Sequence, residues 1–128
     1  MTSDRFSNVI LGIAGLFFLL PGLWAMAAPH AFYDQLAPFP PYNRHLLHDI
    51  GAFQIGIGAA LLLSLRWADA KFVALAAASA GAVAHLASHV VDNDLGGNDT
   101  DIGAFGLLAV LLVLGAAARW NAVARTRP

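Results

Sequence analysis

The chain has 128 residues, of which 59% are hydrophobic and only 12% are charged. Soluble domains carry about twice that share of charged residues, so the composition favours a protein embedded in a membrane. Cysteine is absent, which excludes disulfides, thiolate metal sites and iron–sulfur clusters. Every acidic residue is an aspartate, which removes the Glu-x-x-His pattern of di-iron bundles. The net charge of −1 gives no reason to expect a nucleic-acid partner.

Four apolar stretches follow one another, each close to the roughly 20 residues that a helix needs to cross a bilayer. We therefore predict an all-α fold: a bundle of four transmembrane helices that forms a single membrane domain in contact with lipid. The first stretch is too long for the apolar region of an ordinary signal peptide, so we expect this helix to be retained. The predicted helices cover residues 6–28, 44–65, 70–91 and 101–120.

Basic residues are concentrated at the N-terminus, in the link between the second and third helices, and at the C-terminus. With four spans these three places lie on one side, so the positive-inside rule predicts that both termini are cytoplasmic. The histidines and most of the aspartates then lie on the outer side. The basic residues concerned are Arg5, Arg66, Lys71, Arg119, Arg125 and Arg127.

The connection between the first two helices contains several prolines and aromatic residues, including Pro40, Pro41 and Tyr42. Consecutive prolines cannot continue a helix, and the aromatic side chains fit a belt at the membrane surface. We expect a cap on the outer side with one turn of interfacial helix over 30–36. Asn43 is the predicted N-cap of the second helix.

Two polar clusters dominate the outer ends of the second and third helices. The histidines of each cluster are three or four residues apart, so each pair shares a helix face. The short link 66–69 predicts that the two helices form an antiparallel hairpin, which brings the clusters to the same depth. The clusters consist of His45, His48 and Asp49 on the second helix and of His85, His89 and Asp92 on the third.

Stripes of small residues continue both clusters inward, through Ala52, Gly56, Ala59 and Ala60 on the second helix. On the third helix the stripe consists of Gly81, Ala78, Ala77 and Ala74. Small residues are where transmembrane helices approach one another closely, so we expect the clusters to meet inside the bundle. The stripes either close against each other or line a cavity, and the sequence leaves both possibilities open.

Four imidazoles and two carboxylates form a suitable ligand set for Zn²⁺, Cu²⁺ or Fe²⁺. All six cluster residues are therefore candidate metal ligands. A haem would need one histidine from each helix, for which His48 and His85 are the obvious pair. A quinone site or a proton relay is a further possibility. In the alternative interpretation the six side chains only hydrogen-bond one another and Arg44, and so hold the helix ends in place.

Other polar residues have simpler interpretations. Gln54 is expected to make an interhelical hydrogen bond, and Ser88 is expected to bond locally rather than to act as a nucleophile. The loop 93–100 lacks the spacing and the terminal glutamate of an EF-hand, so it is predicted to be a solvated acidic turn.

The stretch from Tyr42 to Phe53, Tyr-Asn-Arg-His-Leu-Leu-His-Asp-Ile-Gly-Ala-Phe, resembles small uncharacterised bacterial membrane proteins that are broadly DoxX-like. The resemblance implies a four-span fold in the inner membrane and a role in a redox or respiratory assembly, without assigning any catalytic residue. Two functional hypotheses follow. The protein holds a metal, a redox cofactor or a proton-active site, or it is an accessory subunit that associates with other membrane proteins.

Overall fold

The computed structural model describes residues 2–125, with side chains from Asp4 to Arg125. The described chain is all-α and contains five helices. The helices are α1 (Thr2–Ala27), α2 (Pro29–Gln35), α3 (Arg44–Ser64), α4 (Ala68–Val91) and α5 (Asp101–Ala124). Four of them are long and apolar enough to cross a membrane: Asp4–Ala27, Arg44–Ser64, Ala68–Val91 and Asp101–Ala124. The second and third predicted helices therefore correspond to α3 and α4.

Local signals in the sequence explain where α2 and α3 begin. Pro29 opens α2, a position where its missing N–H costs nothing, and this helix corresponds to the helical turn predicted over 30–36. The side chain of Asn43 accepts a hydrogen bond from the N–H of Leu46, as expected of the N-cap of α3. Several boundaries differ from the prediction: α1 begins at Thr2, α4 begins at Ala68 with Asp69 in its first turn, and α5 ends at Ala124.

The closest helix packing joins α1 to α3 through glycines. A Cβ atom added to Gly51 would lie 2.9 Å from the carbonyl oxygen of Gly22. A Cβ added to Gly58 would lie 2.6 Å from the backbone nitrogen of Leu19 and 2.8 Å from the oxygen of Gly15. The two backbones are therefore in direct contact, as small residues permit in transmembrane helices.

The remaining packing places α5 beside both α1 and α4. Leu11 of α1, Leu61 of α3, Leu75 of α4 and Leu112 of α5 are completely or almost completely buried and belong to one core cluster. This cluster is in the half of the bundle away from α2, so it holds the helices together at one end.

The predicted close pairing of α3 with α4 is not what the structure shows. These two helices contact each other much less than α3 contacts α1 or α4 contacts α5. The face of α3 that packs against its neighbour carries Gly51 and Gly58, whereas Ala52 and Gly56 are exposed and a Cβ on Gly56 would meet nothing within 4 Å. The expectation that the stripe of Ala52 and Gly56 turns inward was therefore wrong, because the glycines at 51 and 58 allow a closer approach to α1.

Both ends of the bundle are fastened by long-range polar contacts. At one end, Arg119 of α5 donates to the carboxylate of Asp4 (2.7 Å) and to the carbonyl oxygen of Ala68 (2.9 Å). At the other end, the side chain of Asn98 donates to the carbonyl oxygen of Leu36 (3.2 Å). The loop 92–100 is thus attached to the segment 36–43, and together they form a cap, which we define by these two segments.

Candidate functional site

A cavity of about 670 Å³ fills the space between α3 and α4, and we call it the cleft cavity. Its walls are largely apolar. On the α4 side the small residues Ala74, Ala77, Ala78 and Gly81 line it, so this stripe borders the cavity, and Ala78 is also buried in the core cluster. The polar residues in its lining are Asp49, Gln54 and His85.

A second cavity of about 740 Å³ lies beneath the cap, and we call it the cap cavity. It is lined by residues of α1, α2, α3, α4 and α5 together with the segment 36–43. The two cavities adjoin each other, because they share six lining residues. The shared residues are Phe17, Leu46, Ile50, Gln54, His85 and Phe105.

His85 and His89 form an aromatic cluster with Phe105 at the junction of the two cavities. The ring centroids of His85 and His89 are 4.7 Å apart, and each lies 4.5 Å from the ring of Phe105. Phe39 of the cap contacts His89 edge-on at 5.7 Å. The two histidines of α4 are therefore brought together with aromatic rings from α5 and from the cap.

Asp101 is a site residue that the sequence interpretation missed. Its carboxylate lies 3.8 Å from Nδ1 of His89, and both side chains are largely buried, at 14% and 12% exposed. The same oxygen accepts a hydrogen bond from the N–H of Asn98 (2.9 Å). A possible signal was its position at the first turn of α5, where an acidic side chain is favoured by the helix dipole.

The cluster on α3 does not assemble with the cluster on α4 as a whole. His45 and Asp49 are exposed and face each other at 3.5 Å along one edge of α3. Asp49 also lines the cleft cavity with His85. His48 lines neither cavity, and its Nε2 is buried without a hydrogen-bond partner. Asp92 ends α4 and lines the cap cavity with His85 and His89.

The geometry does not gather the six predicted ligands around one point. Within residues 2–125, no group of three or more histidine, aspartate or glutamate side chains is arranged to hold a metal ion. Residues four apart on one helix share a face, which is why the rings of His85 and His89 lie close together. A complete ligand set also requires the facing helix to approach, and α3 and α4 are separated by the cleft.

The structure also defines the surroundings of Gln54 and Ser88. The predicted interhelical hydrogen bond of Gln54 is not formed, since its Oε1 is buried without a partner. Gln54 instead lines both cavities. The hydroxyl of Ser88 donates to the carbonyl oxygen of His85 at 2.7 Å, which is the local bond expected of a helical serine.

Comparison with known proteins gives a family but no activity. Residues 6–100 match the model of a family described as a domain of unknown function, DUF4345. The chain belongs to this family. The DUF4345 match runs from α1 through the loop after α4, so it includes the six predicted cluster residues and ends just before Asp101. No curated protein and no solved structure matches the chain.

Proposed function

We propose that this DUF4345 protein binds a lipid-soluble amphipathic molecule in the cleft and cap cavities. The single observation that supports the proposal is the pair of adjoining cavities, mostly apolar, whose few polar side chains lie towards the cap. Each cavity falls within the range of about 300 to 1,000 Å³ that is common for small-molecule sites. An apolar tail would occupy the cleft beside Ala74 and Ala78, and a polar head group would lie near His85.

The polar groups on these walls are suited to hold a head group. Gln54 carries both a donor and an acceptor on its amide, and its buried Oε1 has no protein partner. A buried acceptor without a partner costs about 1 to 3 kcal/mol, and a bound hydroxyl or amine would recover that cost. His85 adds a ring nitrogen at the junction of the cavities.

The test compares leucine substitutions at two glycines, one that lines the cleft cavity and one that lies outside both cavities. A Cβ at Gly81 or at Gly56 meets nothing within 4 Å, but only Gly81 lines the cleft cavity. We expect protein extracted in polymer-bounded native membrane discs to carry a stoichiometric amphiphile, detected by mass spectrometry of the extracted lipids. Gly81→Leu should lose it and Gly56→Leu should retain it. Equal lipid content in wild type and both variants contradicts the proposal.

A quinone-like redox cofactor is one member of this ligand class, so the redox hypothesis is contained in the proposal. Binding of zinc, copper or iron, and of haem between His48 and His85, stays a separate prediction. Metal analysis and an absorption spectrum of the purified protein test it. The accessory-subunit hypothesis also stays a prediction, and it requires a partner that copurifies equally with wild type and with Gly81→Leu.

We further propose that the protein lies in a bacterial inner membrane with both termini in the cytoplasm, so that the cap faces the periplasm. The concentration of basic side chains at the end that includes Arg66 and Arg119 supports this orientation. A reporter that is active only in the cytoplasm, fused to the C-terminus, should be active. A reporter inserted in the exposed turn at Asp94 should be active only in the periplasm. The reverse pattern contradicts the orientation.

A further inference from the structure

The formally charged side chains that line the two cavities are all aspartates. Asp49 lines the cleft cavity, and Asp92 and Asp101 line the cap cavity. Among the described residues that line either cavity there is no lysine or arginine. Arg44 begins α3 close in sequence to this region, but it is exposed and lines neither cavity. Asp101 is largely buried whereas Asp49 and Asp92 are exposed, and a carboxylate attracts a positively charged group more strongly where apolar walls exclude part of the surrounding water.

Aromatic rings line the same two cavities. Phe17 and Phe105 line both cavities, Phe53 lines the cleft cavity, and Tyr33 and Phe39 line the cap cavity. The face of an aromatic ring attracts a cation, and groups of such rings are used to recognise quaternary ammonium ions. The aromatic walls and the carboxylates therefore favour the same kind of head group.

We infer that the amphipathic ligand carries a positively charged organic head group, of the alkylammonium type. The inference rests on the proposed function and adds the charge of the ligand to it. The apolar tail lies along the small-residue side of α4, and the ammonium group lies at the junction of the two cavities, with Asp49 on the wall of the cleft cavity and Asp92 on the wall of the cap cavity. An anionic amphiphile would meet three carboxylates and no lysine or arginine on the cavity walls, so it is disfavoured.

The test uses three probes with the same chain length: decyltrimethylammonium, decanol and decanoate. The protein is reconstituted in nanodiscs of zwitterionic phosphatidylcholine, and empty nanodiscs correct for partitioning into lipid. Equilibrium dialysis of radiolabelled probes then measures binding to the protein. We expect the ammonium probe to bind with a dissociation constant about tenfold lower than decanol, and decanoate to bind more weakly than either.

Charge-removing variants distinguish the carboxylates from a general preference for cations. Asp49→Asn with Asp92→Asn keeps the side-chain shapes and removes two charges from the cavity walls. We expect this double variant to lose about tenfold in affinity for the ammonium probe and to bind decanol as wild type does, which also reports that it is folded. The control, Asp34→Asn with Asp94→Asn, changes two exposed aspartates outside both cavities and should bind all three probes as wild type does.

The outcomes separate this inference from the proposed function. If decanol or decanoate binds as tightly as the ammonium probe, or if the double variant keeps the ammonium preference, the inference on charge is overturned and the amphiphile site stands. If none of the probes binds above empty nanodiscs and Gly81→Leu leaves the copurified lipid unchanged, the proposed function itself fails.

Discussion

Gly22 of α1 and Gly51 of α3 lie so close together that a Cβ on either would be 2.9 Å from the carbonyl oxygen of the other. Two helix backbones can approach this closely only where neither carries a side chain. Gly15 and Gly58 repeat the contact two turns away, with a Cβ on Gly15 only 3.3 Å from the oxygen of Gly58. This contact commits α3 to α1, and the neighbouring face of α3, with Ile50, Gln54 and Ile57, borders the cleft.

The close contact between α1 and α3 predicts that adding one methyl group to a contact glycine lowers the stability of the protein. Gly58→Ala would place a Cβ 2.6 Å from the backbone nitrogen of Leu19, and backbone atoms cannot move aside as a flexible side chain can. We expect a loss of about 1 to 3 kcal/mol in stability, measured by thermal unfolding in detergent. Gly12→Ala on α1 is the control, since its Cβ meets nothing within 4 Å. That variant should be neutral or slightly stabilised, because alanine favours a helix. Equal melting temperatures would contradict the packing.

Arg119 predicts a stability effect at the opposite end from the cap. Its side chain is 11% exposed and joins Asp4 of α1 to the carbonyl oxygen of Ala68 in α4. Arg119→Met keeps the aliphatic length and removes both bonds, so we expect a loss of about 1 to 2 kcal/mol in the free energy of unfolding. Asp4→Asn should cost less, because the Asp4 carboxylate is 46% exposed and solvent screens it.

The matched control for this prediction is Arg66→Met, which removes an exposed arginine near the same end of the bundle. Its melting temperature should equal that of wild type. A loss in Arg66→Met as large as that in Arg119→Met would mean that net charge, rather than the two bonds of Arg119, determines stability.

Substituting Gly97 is expected to disturb the structure of the cap only. Its φ of +91° is unfavourable for residues with a side chain, and a Cβ would lie 2.7 Å from Cζ of Phe39. Gly97→Ala should therefore detach the loop 92–100 from the segment 36–43 without unfolding the helices. Hydrogen exchange should become faster in these two segments and stay unchanged in α1. Gly103→Ala, where a Cβ is free of contacts, should leave exchange in the cap as it is in wild type.

Replacing Gln54 by leucine is expected to raise the stability of the protein and to weaken its binding of the amphiphile. Gln54→Leu removes the buried Oε1 that has no partner, so we expect the ligand-free protein to gain about 1 kcal/mol in stability. The same change removes a polar group from both cavities and should weaken retention of the copurified amphiphile. Gln35→Leu, at the exposed end of α2, is the control for adding an apolar side chain and should leave the lipid content unchanged. A destabilised Gln54→Leu that keeps its ligand would contradict this assignment.

The sequence by itself determined the number and approximate limits of the four long apolar helices, because apolar length and helix capping are local properties. It also predicted the helical turn of α2 after Pro29 and the cap of α3 at Asn43. The pairing of His85 with His89 was predictable for the same reason, since two residues four apart on a helix share a face.

Only the tertiary structure decided which helices touch. Small residues lie on two sides of α3: Gly51 and Gly58 on one side, and Ala52 and Gly56 on the other. From the sequence alone, either side could pack closely against a neighbouring helix. The structure uses Gly51 and Gly58 against α1, so the α4 stripe at Ala74 and Gly81 lines a cleft and His48 is directed away from it. Asp101 at the start of α5 lies beside His89 near the end of α4. This contact depends on how the loop 92–100 packs, which the periodicity of the sequence does not reveal.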